Sequence, residues 1–328
     1  MVIVLHVATK GWKNADLYSS QWILYETAHT ISRFGVCCFV MISGSLFLSK
    51  DRNIGDLYRK NILKIVAIIV VWSFLHLLFR LCIGDFQYNG PKSLLSNLLM
   101  GNYHLWYLWM TVGLYAVSPI LRKVVSDRKC EEYFLLFTTL VTFLPGMLEV
   151  VPVLNELAQL ILTEKMFFFM PMGYVGYFVL GHYINAYELS EGKKMLLYLL
   201  GIIGIFYGII GGVAYSRYTG VPSQATYNNL TLNIALYSSM LFMLFKDHVG
   251  KIHFSRKAEK VIRYFGSCTL GIYLTHVFFV QGITDKIHIA TEYRYPLLIL
   301  PLAVLVFALA FSLTALLKKI PLVRKWLV

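Results

Sequence analysis

Long apolar runs alternate with short polar stretches along the whole chain. They lie at about 1–9, 31–48, 62–83, 103–120, 133–151, 166–187, 195–216, 230–246, 264–284 and 295–317. A helix rises about 1.5 Å per residue, so about 20 apolar residues cross a hydrocarbon core of about 30 Å. The pattern predicts an all-α fold, a polytopic transmembrane helix bundle of about ten spans. No connection exceeds about 20 residues, so residues 1–328 read as a single integral-membrane domain. The first run covers only about 14 Å and reads as a truncated span. No basic stretch precedes it and no small-residue cleavage site follows it cleanly, which argues against a signal peptide.

Composition removes the soluble alternatives. Of 328 residues, 58% are hydrophobic and 14% charged, with mean hydropathy +0.64. Soluble domains are about 45–50% apolar and about 25% charged, and one or two cores could not hide this much apolar surface. The lipid bilayer is the implied partner. Lys and Arg number 30 against 17 acids, a formal charge of +13. Basic residues at 50–64, 122–129, 193–194, 246–263 and 318–325 outnumber those at 10–13, 80–92, 165, 217 and 286–294 more than twofold. By the positive-inside rule the first set faces the cytoplasm. That predicts a multi-pass protein of the inner (plasma) membrane with both termini cytoplasmic. No nucleic-acid partner is expected, since no aromatic-basic groove or zinc spacing occurs. The five cysteines form no CxxC pair and lie mostly in apolar runs, as buried thiols do. No metal site is expected, and the oligomeric state is not legible.

Polar groups inside apolar runs carry the functional information. On these span boundaries every Asp and Glu falls in a loop or at a span end, which argues against a proton-coupled transporter. His6, Arg33, His76, Arg80, His104 and His276 share roughly one depth toward the outer side. Around a common cavity they would form a polar site with imidazoles for proton transfer. Blander roles compete with this one. Arg80 can snorkel, His76 can bond a neighbouring helix, and Trp12, Trp22, Trp106 and Trp109 suit interfacial belts. Ser43-Gly44-Ser45 and Gly266-Ser267 suit close helix packing. Arg59, Lys60 and Lys64 suit the positive-inside pattern, and they also suit the phosphates of an anionic cofactor.

Several motifs together resemble the acyltransferase 3 family of polytopic membrane acyltransferases. Arg33-Phe34-Gly35-Val36 with Phe39-Val40-Met41-Ile42-Ser43-Gly44 is similar to its second helix. Tyr58-Arg59-Lys60, Ile62-Leu63-Lys64-Ile65 and Trp72-Ser73 resemble the basic start of its third. Tyr103-His104-Leu105-Trp106-Tyr107-Leu108, with Gly113-Leu114-Tyr115 and Pro119, resembles its HLW segment. Gly173-Tyr174-Val175-Gly176-Tyr177-Phe178-Val179-Leu180-Gly181 and Thr269-Leu270-Gly271-Ile272-Tyr273-Leu274-Thr275-His276 resemble two later helices. The family signature on its first helix is an Arg, ten residues, then a His. His6 fits that His, and the Arg would precede Met1, in line with a missing N-terminal stretch.

The resemblance implies transfer of an acetyl or succinyl group from cytoplasmic acyl-CoA, acetyl-CoA foremost, to a hydroxyl of a cell-surface carbohydrate or lipid-linked glycan. A hydroxyl is a poor nucleophile and needs a base within hydrogen-bond reach. His6 would remove its proton or take the acyl group transiently. Arg33 would orient an oxygen as charge develops. His104, Trp106, His276 and Ser43 would contact substrate, and Arg59, Lys60 and Lys64 would hold the CoA phosphates. The competing classes are an amino-acid transporter or flippase, and a scaffold in polysaccharide export.

Overall fold

The computed structural model describes residues 1–86, 88, 90–151, 154, 169–286 and 296–326. Lys165, Arg294 and the first residues of the runs at 166–187 and 295–317 lie outside the described residues, as do the side chains of Lys286 and Lys325. In chain order the helices are α1 (Val2–Asn14), α2 (Ser20–Ile31), α3 (Phe34–Leu48), α4 (Ile54–Asp56), α5 (Leu63–Cys82), α6 (Pro91–Met100) and α7 (Trp106–Val124). They continue as α8 (Arg128–Thr138), α9 (Leu144–Leu148), α10 (Phe169–Ala186), α11 (Glu191–Thr219), α12 (Leu232–Asp247), α13 (Arg256–Lys286), α14 (Ile299–Leu317) and α15 (Pro321–Trp326). Two π-helical segments, Leu57–Ile62 and Thr139–Phe143, bridge α4 to α5 and α8 to α9. No strand occurs among the described residues.

Five helical stretches are long and apolar enough to cross a membrane: Ser20–Leu48, Ile54–Cys82, Glu191–Thr219, Arg256–Ile283 and Pro296–Leu317. Helices also occupy the predicted runs at 103–120, 133–151, 166–187 and 230–246. The stretch between the first two runs corrects the sequence reading. It is largely helical: α1 continues to Asn14, and α2 fills residues 20–31. Ser19 caps α2, its Oγ accepting the Trp22 amide hydrogen at 3.1 Å. Glu26 therefore sits within the Ser20–Leu48 stretch, against the expectation that no acid lies inside a span. Trp12 and Trp22 are also buried, at 4% and 0% exposure, so they are not belt residues, whereas Trp106 and Trp109 are exposed.

The chain divides into two compact units. Unit 1 is Met1–Arg52 with Val117–Ile252, and unit 2 is Asn53–Ala116 with His253–Val328.

In unit 1 the closest packing is between α3 and α10. A Cβ added at Gly44 would lie 2.6 Å from the carbonyl carbon of Phe178, and one added at Gly181 would lie 2.5 Å from that of Met41. The paired positions run in opposite directions along the two helices, so they cross antiparallel with backbones in contact. Small residues permit such an approach where lipid supplies no hydrophobic drive between helices. Helix α11 uses the same device on another face. Gly204 meets the Asn233 backbone, Gly208 meets Thr30, and Gly212 meets the Glu26 carboxylate.

Charged ends fix the polar edge of unit 1. Lys194 bonds Asp247 at 2.9 Å, and Lys246 donates to the carbonyls of Ile184 and Tyr187 at 2.8 and 3.1 Å. The Lys194 ammonium beside Asp247 holds its carboxyl below the usual carboxylate range. A carboxyl lowered in the folded state stabilises the fold above the unfolded Asp value, and that gain disappears as pH falls through the folded value. Asp247→Asn should therefore lower the thermal midpoint at neutral pH. The difference from wild type should shrink as pH drops below about 4. A difference that persists undiminished in acid refutes the contribution of this pair.

Unit 2 packs α5, α7 and α13 through Ile68, Ile69, Trp72, Leu105, Leu108 and Leu274. Phe265 of α13 stacks on Phe311 of α14 with centroids 4.6 Å apart.

Candidate active site

Helix α2 turns a polar face inward. Trp22, Tyr25, Glu26, His29 and Thr30 are buried, and Arg33 follows one turn later. Glu26, His29 and Arg33 are three or four residues apart and share one side of the Ser20–Leu48 helical stretch. Burying a carboxylate is costly unless donors meet it. Both Trp12 Nε1–H and the Tyr227 hydroxyl donate to Glu26 Oε2, the latter at 2.8 Å. Glu26 Oε1 has no hydrogen-bond partner among the described residues and lies where a side chain at Gly212 would otherwise stand.

His29 is sandwiched in this cluster at 1% exposure. Its ring stacks on Trp12 with centroids 4.7 Å apart and planes 4° apart, and meets the edge of Tyr227 at 5.9 Å. Arg33 Nη2 approaches His29 Nδ1 at 3.3 Å, and Thr9 Oγ1 lies 3.4 Å from Nε2. The Arg33 guanidinium also lies 5.5 Å from the Tyr227 ring centre. The cluster brings together a guanidinium, imidazoles and a carboxylate. It can polarise an oxygen and move a proton.

Of the residues singled out in the sequence, His6 and Arg33 both lie near His29. His6 is half-buried on α1 and faces His29 within electrostatic reach. Ser43 is half-buried on α3 beside the Gly44 crossing. In unit 2, His104 and His276 come together, with ring centroids 5.5 Å apart, and His76 lies 4.7 Å from His104. Trp106 is 41% exposed at the start of α7. Arg59 and Lys60 are exposed in the π-helical segment, where Lys60 pairs with Asp56 at 2.9 Å, and Lys64 is half-buried at the start of α5.

His76 takes the blander role foreseen for it. Its Nε2 donates to the Leu274 carbonyl on α13 at 3.0 Å. Asn102 Nδ2 lies 3.4 Å from His76 Nδ1 and 3.2 Å from Gln281 Oε1. His276 Nδ1 donates to the Tyr273 carbonyl at 2.6 Å, which places the lone pair of the neutral ring on Nε2. The Tyr273 hydroxyl donates to the His104 carbonyl. Among the described residues no three His, Cys, Asp or Glu side chains converge as metal ligands.

Sequence reasoning missed Glu26, His29, Trp12 and Tyr227. A signal for the first two existed in the helical spacing of Trp22, Tyr25, Glu26, His29 and Thr30. Glu26, His29 and Thr30 make most of that face polar, so a hydropathy pattern reads it as a loop.

A family model described as an acyltransferase domain matches residues 1–316, a range that takes in residues of both units. No curated protein and no solved structure matches the chain. The match covers nearly the whole chain, including His6, Arg33 and the helices that carry them. The chain belongs to the acyltransferase 3 family and is a membrane acyltransferase that transfers groups other than amino-acyl groups.

Proposed function

We propose that the protein transfers an acetyl or succinyl group from cytoplasmic acyl-CoA to a hydroxyl of a cell-surface carbohydrate or lipid-linked glycan. The observation that carries this reading is the part-buried contact of Arg33 with His29, within reach of His6, in a chain of this family. His6 removes the acceptor proton. The hydroxyl oxygen attacks the thioester carbonyl carbon, a C–O bond forms, and the C–S bond breaks with its electron pair on sulfur. The imidazolium returns the proton to the thiolate. Arg33 stabilises the oxygen on which negative charge develops. Arg59, Lys60 and Lys64 attract the CoA phosphates, while His104, Trp106, His276 and Ser43 contact the substrates. The bias of basic loops supports ten spans in the inner membrane with both termini cytoplasmic.

Radiolabelled acetyl-CoA given to membranes containing the full-length protein tests this reading. Label is expected in the glycan fraction above that of membranes lacking the protein. Equal label in the two membranes overturns it. The buried Glu26 favours a second reading, a proton-coupled transporter of a small molecule, and substrate movement without acyl transfer would support that one.

A further inference from the structure

His29 has one lone pair and offers it to Arg33. A guanidinium has donors only, so in the 3.3 Å contact the hydrogen belongs to Arg33 and the lone pair to His29 Nδ1. The neutral ring then carries its own hydrogen on Nε2, facing Thr9 Oγ1 at 3.4 Å. Thr9 gives its hydroxyl hydrogen to the Leu5 carbonyl at 2.7 Å, which leaves its oxygen free to accept. Trp12 stacked on one side and Tyr227 at the edge keep the ring from turning. One tautomer is thereby selected, the one that receives Arg33.

We propose that His29 is a positioning residue for Arg33, its neutral ring holding the guanidinium through the Nδ1 lone pair. This rests on the reading of Arg33 as the group that meets the reacting oxygen. A doubly protonated ring would set N–H against N–H and two cations against each other at 3.3 Å. Water cannot relieve that repulsion at a site with 1% exposure. The charged and titratable groups around His29 are His6 and Lys13 of α1, Arg33 at the start of α3, and Tyr227, and Glu26 precedes His29 on the same face of α2. The Oε2 of Glu26 is already occupied by Trp12 and Tyr227.

Two variants separate positioning from bulk structure. His29→Gln retains an oxygen that accepts from Arg33 and does not titrate. It should keep transfer from radiolabelled acetyl-CoA within about fivefold of wild type. His29→Leu has no acceptor and should lose about 100-fold or more at every pH. Wild-type rates in His29→Leu, or a loss in His29→Gln as deep as that in His29→Leu, overturn the proposal.

Diethylpyrocarbonate, which attacks an imidazole lone pair, gives a readout independent of transfer. In the purified full-length protein, carbethoxylation of His29 measured by mass spectrometry should be about tenfold faster in Arg33→Gln than in wild type. Arg33→Lys serves if the Gln variant does not fold. Unchanged His29 reactivity on loss of the guanidinium overturns the hold of His29 on Arg33. Faster reactivity in the variant, with no transfer by the wild type, supports that hold and overturns the acyl-transfer reading instead.

Discussion

His6→Ala is expected to abolish acyl transfer and leave the protein folded. The expected loss is that of general acid–base assistance, about 10²- to 10⁴-fold in rate, or about 3–5 kcal/mol of barrier. The fold should tolerate the change because of where His6 sits on α1. The buried residues of that helix are Val7, Ala8, Gly11 and Trp12, and His6 flanks this stripe half-buried. Trp12 anchors the helix through its bond to Glu26, and its carbonyl accepts from Trp22 Nε1 at 2.9 Å. Neither contact involves the imidazole. Label from acetyl-CoA incorporated into glycan, measured beside the thermal midpoint of the same purified variant, checks both halves. Wild-type transfer ends the catalytic role of His6, and a collapsed midpoint assigns the residue to structure instead.

Gly44→Val is expected to disrupt the folding of unit 1. The obstacle is backbone: the carbonyl of Phe178 occupies the space a Cβ at Gly44 needs, and no side-chain rotation can clear it. Helices α3 and α10 would have to separate. Met41 and Phe178, both at 0% exposure, and Val40 at 1% would lose their packing together. Overpacking in a close-packed site costs about 1–3 kcal/mol, and losses beyond about 4 kcal/mol follow when buried neighbours are displaced as well. The Gly44 change belongs to the second kind, because the reciprocal contact of Gly181 with Met41 lies on the same crossing. Gly192→Ala on α11 is the control, since an added Cβ there meets nothing within 4 Å. It should be neutral or mildly stabilising, by about 0.4–1 kcal/mol. Thermal midpoints and the monodisperse fraction in detergent distinguish the two. A Gly44→Val protein that melts like the Gly192 control refutes the backbone-contact account.

The fate of individual residues shows what a hydropathy pattern can carry. The run at 62–83 foretold α5, and that at 195–216 foretold α11, because a lipid-facing helix must be apolar over most of its circumference. Ser43-Gly44-Ser45 suggested close packing, and Gly44 has it. His6 and Arg33 were legible as polar groups placed where apolar ones are cheaper. Glu26 and His29 were not. Their helix hides its polar face against Trp12, Tyr227 and the glycines of α11, so its polarity read as a solvated connection. Tyr227 is 201 residues from Glu26 in sequence, and no periodicity links them.

Residue order alone fixes the solvent, the helical class and the family, and it points to His6 and Arg33. Each follows from composition, local period or a short motif, quantities that a chain carries without folding. Folding settles which acid is buried, which nitrogen of His29 faces Arg33, and which glycines bring α3 against α10. These depend on contacts between distant segments. A hydrogen bond or a backbone crossing exists only where two such segments arrive at the same point with matching donors, acceptors and free volume.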